Sequence, residues 1–273
     1  MITWKLKSWQ TAGVAAAALG LAACGGEAGS AGEGGEGEGG EASARGEPGE
    51  AAGPAAAASA GGASGEAGEA GAASAYAGLS GDQLTALRIQ HLRGFVMAAA
   101  AVNANNQPAE AAVLVQQGLL EVYDVAPGEF GALNVDVIRS ATDGSLNRAQ
   151  MMQRIRASDA EFDRVLGTLD VDYAVLTVRM VDIATGLYQG VVQEDFVDPI
   201  EYQHSMGAAQ AAQASLNQDA LQRQNLSAYL EAQQELNRFV ELWPQATAPE
   251  RPASYSQVLA QGSRVRLALS PYL

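Results

Sequence analysis

The apolar positions after residue 76 follow the pattern of a helical protein. Between residues 83 and 102, apolar side chains and one histidine recur three or four positions apart, which places them on one face of a helix. That face comprises Leu84, Leu87, His91, Phe95, Ala98 and Val102. Similar spacing predicts further helices over 109–122, 134–141, 146–169, 199–216, 220–243 and 254–269. We therefore expect an all-α fold, a helical bundle of about six to eight helices.

Polar and proline residues mark several of the predicted helix ends. Pro108 and Pro199 suit the first turn of a helix, where a missing backbone N–H costs nothing. Asp198 is the expected cap of the second of these helices. The predicted stripe of the helix over 109–122 comprises Val113, Leu114, Gln117, Leu120 and Glu121. The predicted stripe of the helix over 220–243 includes Leu226, Leu230, Leu236, Phe239 and Val240.

The segment 171–192 allows two interpretations. Val171, Val175 and Val178 begin an apolar stripe at helical spacing, and Val181, Tyr188 and Val192 continue it. The same richness in β-branched residues, together with the turn-forming run 184–186, is also typical of a β-hairpin. We favour the helix and keep the hairpin as the alternative.

The composition divides the chain into three expected parts. Residues 25–75 hold 17 of the 31 glycines and nine glutamates, and their only apolar side chains are alanines. Such a segment buries too little surface to offset the entropy of ordering it. We therefore expect a signal peptide over 1–23, a lipidated cysteine with a disordered acidic linker over 24–75, and a helical bundle domain over 76–273.

The first 24 residues resemble the signal of a bacterial lipoprotein precursor. Lys5 and Lys7 make a basic start, and the apolar run that follows is shorter than the roughly 20 residues that span a bilayer. The run ends in Leu21-Ala22-Ala23-Cys24, which resembles the lipobox of that family. The resemblance implies thioether lipidation of Cys24, cleavage before it and acylation of the new terminus, for example by palmitate. Because Gly25 follows Cys24, it also implies sorting to the outer membrane, with the domain facing the periplasm.

The charge argues against nucleic acid as a partner. The net charge of −15 divides into +2 from the signal, −8 from the linker and −9 from the folded part. A phosphate backbone calls for a basic surface instead. The chain has no GxSxG or HExxH motif, and its single cysteine is the expected lipidation site. We therefore expect no enzymatic activity and no cofactor besides the covalent lipid, and a domain that binds an envelope protein or a small ligand.

One spacing suggests an alternative, a metal site. Glu201 and His204 lie three positions apart on a predicted helix, and di-iron bundles use two such pairs. Here the pair occurs once, and His91 is the one other imidazole in the chain. Glu110 or Glu121 could supply a second carboxylate. The alternative explanation is that both histidines belong to the core or surface of the bundle and that Glu201 is a first-turn acid favoured by the helix dipole.

The folded part resembles a group of periplasmic helical lipoproteins associated with imelysin-like, iron-related proteins. The resemblance implies a helical bundle and a link to iron or haem handling. The GxHxxE motif of imelysin itself is missing, so no imelysin metal site carries over. Close packing of helices at Gly94 and Gly207 explains the same stretches equally well. The resembling residues are Gln90-His91-Leu92-Arg93-Gly94-Phe95, Glu121-Val122-Tyr123 and Val197-Asp198-Pro199-Ile200-Glu201-Tyr202-Gln203-His204-Ser205-Met206-Gly207.

The arginines beside the apolar stripe of the first helix have two expected roles. Arg88 and Arg93 could pair with Glu121 or Glu201 inside the bundle. They could also lay their aliphatic stems along its edge and keep their charges in water.

Overall fold

The residues that the structure describes form nine complete α-helices, the end of a further helix at 72–74 and one short two-stranded sheet, joined by turns and loops. The structure is a computed structural model, and it describes residues 72–193, 196–216 and 219–273. The described residues belong to one compact unit. The expected signal peptide, Cys24 and the expected linker up to residue 71 lie outside the described residues.

The helices confirm the all-α prediction. They are α1 Gly81–Ala104, α2 Pro108–Gly118, α3 Val135–Arg139, α4 Arg148–Leu166, α5 Tyr173–Tyr188, α6 Pro199–Leu216, α7 Asp219–Gln224, α8 Leu226–Val240 and α9 Tyr255–Leu269. A π-helical turn, Leu119–Tyr123, extends α2, and 3-10 turns lie at Pro127–Glu129 and Ser270–Tyr272. No helix within the described ranges has both the length and the apolar composition needed to cross a membrane.

Helix α6 lies at the centre of the bundle and packs against both α5 and α1. The apolar stripe predicted for α1 faces this core, since Leu87, Phe95, Ala98 and Val102 are all buried. Helix α6 carries a run of small residues, alanine above all, and these let neighbouring helices approach closely. Removing this apolar surface from water contributes roughly 25 cal/mol per Å² to the stability of the fold.

Side-chain caps stabilise the starts of several helices, one of them at a predicted position. Asp198 Oδ1 accepts hydrogen bonds from the backbone N–H groups of Ile200 and Glu201, which confirms its predicted role at the start of α6. Asn147 and Gln150 form a reciprocal capping box at the start of α4. Each cap satisfies backbone donors that the first helical turn leaves without an intrahelical acceptor.

The ambiguous segment is a helix, as favoured. Asp172 caps α5 by accepting hydrogen bonds from the N–H groups of Ala174 and Val175. A hairpin forms immediately after α5, where strand β1 Val192–Gln193 pairs antiparallel with strand β2 Phe196–Val197. Most of the helix is buried, so its β-branched side chains pack against neighbours on several sides and tertiary burial outweighs their local preference for strand.

The prediction of a single helix over 220–243 is wrong, because the chain breaks at Asn225. This residue lies between α7 and α8 in an extended conformation, and its side chain accepts a hydrogen bond from the N–H of Ala228. The new helix start turns two predicted core residues outward, since Leu226 and Leu230 are 54% and 53% exposed. Leu236 and Phe239 are buried as predicted.

The predicted core face of α2 is also partly wrong. Val113 and Leu120 are 53% and 56% exposed, whereas Leu114 is buried. The face turned to α1 instead carries Gly118, where an added Cβ would lie 2.6 Å from Phe95 Cβ. The close contact with the Phe95 side chain orients α2 and leaves the larger side chains of Val113 and Leu120 in solvent.

Candidate functional site

The two histidines predicted as metal ligands lie on either side of one aromatic ring. His91 on α1 and His204 on α6 are 7% and 4% exposed. The ring of Phe95 lies 5.7 Å from that of His91 and 4.5 Å from that of His204, centroid to centroid. We call His91, Phe95 and His204, together with the polar residues that contact the imidazoles, the histidine cluster.

His91 has one close polar partner. Its Nδ1 lies 2.6 Å from the hydroxyl oxygen of Tyr76. Arg88 stacks on the Tyr76 ring, with its Cζ 4.1 Å from the ring centroid, and its Nε donates to Glu129 at 2.7 Å. Within the described residues, His91 Nε2 has no hydrogen-bond partner. This end of the cluster therefore leaves one buried ring nitrogen unsatisfied.

His204 contacts the segment that follows α2. Its Nε2 donates to Gln117 Oε1 at 3.3 Å, since an amide oxygen only accepts. Its Nδ1 lies 3.8 Å from Glu121 Oε2, too far for a hydrogen bond. Glu121 belongs to the π-helical turn, which places its carboxylate beside α6. The predicted proximity of Glu121 to one of the histidines is thus present in the fold.

Burial keeps both imidazoles neutral at pH 7. Desolvation lowers the pKa of His91 to about 3, and the nearby His204 and Arg88 lower it further. Desolvation lowers the pKa of His204 to about 4. A neutral imidazole packs in an apolar core at far lower cost than an imidazolium does. The geometry therefore favours the interpretation of both residues as core histidines.

Glu201 occupies the first turn of α6, one turn before His204. Its backbone N–H is held by the Asp198 cap, and its side chain lies against Gly190, where an added Cβ would be 3.4 Å from Glu201 Cγ. Among the described residues, no three histidine, cysteine, aspartate or glutamate side chains come together as a group that could hold a metal ion. Metal binding by Glu201, His204 and His91 therefore stays a prediction.

The arginines pair with other acids than those expected. Arg88 bonds to Glu129, and Arg93 bonds to Asp159 and Asp163 on α4. The acids that Arg88 and Arg93 contact are thus others than the Glu121 and Glu201 that the sequence suggested. The reason is the direction of each side chain, because Arg88 reaches Glu129 in the 3-10 turn and Arg93 reaches α4.

The sequence predicts that Phe95 belongs to the core, but it does not show that Phe95 lies between two imidazoles. Nor does it show that Tyr76 is a partner of His91. Tyr76 lies at the boundary of the expected linker, where no periodic pattern marks it.

The family resemblance finds no support beyond the sequence itself. No protein-family model matches this chain, and comparisons with the curated proteins and with the solved structures also find no match.

Proposed function

We propose that this chain is a lipid-anchored protein of the bacterial cell envelope whose helical domain is a non-enzymatic binding module. The observation that carries the proposal is the sequence Leu21-Ala22-Ala23-Cys24 at the end of a short basic and apolar leader. A thiol at this position is the nucleophile that receives the lipid. Two or more acyl chains on one protein hold it on a membrane stably, whereas one chain does so only marginally.

The composition after Cys24 supports a tethered arrangement. A coil of about 50 residues rich in glycine spans roughly 40 Å end to end, and repulsion between its glutamates extends it further. Such a spacer holds a domain clear of the membrane surface. In the proposed arrangement the anchor lies in the outer membrane and the domain faces the periplasm, where it meets an envelope protein or a small ligand.

We interpret the histidine cluster as part of the core and not as a site of proton transfer. Histidine is the side chain most often used for proton transfer near neutral pH, and both histidines of this chain are buried with lowered pKa values. His91 bonds to Tyr76 and His204 to Gln117, so each imidazole joins elements of the fold. These contacts are those of residues that stabilise a core.

Fatty-acid labelling of whole cells tests the anchor. With radioactive palmitate, the wild-type protein should carry label and the Cys24→Ser variant should not, while a nearby Ser30→Ala variant should label as the wild type does. The Cys24→Ser variant should also leave the membrane fraction. Gly25→Asp tests the sorting step, because it should move the labelled protein from the outer to the inner membrane. An unlabelled wild-type protein would overturn the proposal.

Metal or haem handling is the second candidate, and the approach of Glu121 to His204 is the observation that favours it. Lowered pKa values leave both imidazoles in the neutral form that metals bind. Isothermal titration with ferrous, cupric and zinc ions tests this function. Saturable heat in the wild type that His204→Ala abolishes would support it, and equal heats in the two proteins would exclude it.

A further inference from the structure

The eight described residues before Ser80 fold back along α1. We call this segment, residues 72–79, the strap; Ala72 and Ala75 in it are buried. Tyr76 precedes the start of α1, yet its hydroxyl lies 2.6 Å from Nδ1 of His91, which is about 15 Å along the axis of that helix. The strap therefore runs antiparallel to α1, and the ring of Tyr76 lies against that of His91.

Two glycines allow the chain to reverse between Tyr76 and α1. Gly78 has a φ of +78° and Gly81 a φ of +56°, in the left-handed region that residues with a Cβ rarely adopt. An added Cβ at either position would meet nothing within 4 Å. The two glycines therefore serve the backbone conformation and not close packing. A larger residue at Gly78 strains the strap only while the strap lies on α1.

Few contacts hold the strap on the helices. Besides the contact of Tyr76 with His91, the Arg88 guanidinium stacks on the Tyr76 ring, and Arg179 donates to the carbonyl of Ala77 at 3.4 Å. Four backbone N–H groups of the strap donate to carbonyls within the strap itself, so these bonds persist when it leaves α1. Segments with few buried apolar contacts open at a fraction of the free energy of global unfolding. The strap has the properties of such a segment.

From this arrangement we infer that the strap is a detachable cover of the histidine cluster, which hides His91 when it is closed and gives an external ligand access to His91 when it is open. In the closed state the Tyr76 hydroxyl occupies His91 Nδ1, so a ligand of this nitrogen competes with the strap. The chain before residue 72 is the expected linker, and a pull on that linker reaches the strap before any of the nine helices. The inference goes beyond the proposed binding function, because it concerns the control of access.

The second histidine provides an internal reference. His204 contacts Gln117 and Glu121, which belong to α2 and to the turn that follows it and not to the strap. Opening of the strap alone leaves these contacts in place and exposes His91. Global unfolding exposes both histidines equally. The ratio of the two reactivities therefore distinguishes opening of the strap from unfolding of the domain.

Modification by diethyl pyrocarbonate, which attacks accessible neutral imidazoles, tests the inference on the full chain in detergent. Burial lowers the pKa values of both histidines, so at pH 7 both are neutral and the initial rate reports access. Site-resolved mass spectrometry measures that rate at each histidine. In the wild type, His91 should react at least tenfold more slowly than it does in the urea-unfolded chain. Equal rates in the two states would show that the strap does not cover His91.

A tyrosine pair tests the contact that closes the strap. Tyr76→Ala should raise the rate at His91 at least tenfold and leave the rate at His204 within twofold. Tyr272→Ala is the matched control, because Tyr272 is also partly buried and its hydroxyl donates to backbone carbonyls far from the strap. This control should change neither rate by more than twofold.

A glycine pair tests the opening without removing any side chain. Alanine at Gly78 is strained in the closed strap and relaxed in the open one, so Gly78→Ala should raise the rate at His91 about fivefold. Gly144→Ala is the matched control, since its Cβ also meets nothing within 4 Å and the φ of Gly144 lies outside the left-handed region. An unchanged rate at His91 in Gly78→Ala, or an equal rise at both histidines, would overturn the inference.

Discussion

Gly94 and Gly207 bring the backbones of α1 and α6 into direct contact. A Cβ on Gly94 would lie 3.1 Å from the backbone nitrogen of Ala208, and one on Gly207 would overlap the carbonyl oxygen of Gly94. Both glycines lie inside helices, where alanine is intrinsically the better residue by about 1 kcal/mol. The packing predicted from the sequence at these two positions is confirmed, and it accounts for two helix-interior glycines.

Gly207→Ala should destabilise the domain by about 2 kcal/mol or more, because backbone atoms of α1 cannot move aside as a side chain can. Chemical denaturation followed by circular dichroism measures the change in the free energy of unfolding. Gly144→Ala is the matched control, since an added Cβ there meets nothing within 4 Å. Its effect should stay within about 0.5 kcal/mol. Equal stabilities of the two variants would contradict the close helix contact.

The buried histidines should make the domain less stable as the pH falls below 6.5. An unfolded histidine has a pKa of about 6.5. In the fold, burial lowers the pKa of His91 to about 3 and that of His204 to about 4. The unfolded chain therefore binds more protons than the fold between these values. The stability that the neutral histidines contribute is fully present above pH 6.5 and is lost as the pH falls towards their pKa values in the fold. At pH 5 the loss is about 2 kcal/mol for each histidine.

His204→Gln isolates one of these two contributions. Glutamine can still bond to Gln117 but does not titrate, so the loss of stability between pH 7 and pH 5 should be smaller by about 2 kcal/mol in the variant. Denaturant titrations at both pH values measure the difference in each protein. Carboxylates titrate alike in the two proteins and cancel from the comparison. An unchanged loss in the variant would show that His204 is not a buried neutral imidazole.

Substitution by alanine should cost much more stability at one leucine of α8 than at another. Leu236 is fully buried, so Leu236→Ala should cost about 2–5 kcal/mol through lost burial and the cavity left behind. Leu230 is 53% exposed, so Leu230→Ala should cost less than about 1 kcal/mol. Thermal and chemical unfolding of both variants gives the comparison. Similar losses of stability in the two variants would indicate instead that Leu230 is buried, as the single long helix predicted from the apolar pattern requires.

Asn225 should contribute to stability as a helix cap. Asn225→Ala removes the acceptor for the N–H of Ala228 and should cost about 1 kcal/mol, whereas Asn225→Gly should cost only a few tenths. Denaturation midpoints of the two variants measure this ordering. A stabilising effect of Asn225→Ala would mean instead that α7 and α8 run together as one helix in solution.

The apolar spacing of the sequence was enough to predict the helical class, most helix positions and the buried face of α1. These properties follow from local periodicity, and one wide apolar face that includes Leu87, Phe95 and Val102 determines which side of α1 is buried. The spacing was not enough where a short cap competed with a continuous pattern. At Asn225, one side-chain hydrogen bond and an extended backbone override an apolar stripe that continues on both sides.

The candidate functional residues depend on the tertiary structure even more than the helix positions do. The sequence by itself predicts lipid attachment at Cys24, because that pattern lies in consecutive residues. Only the tertiary structure decided that His91 and His204 share the ring of Phe95 and that Arg93 pairs with α4. It also placed Tyr76 against His91. Such partners are distant along the chain, and their contacts depend on how helices cross, which a periodic pattern of single residues does not encode.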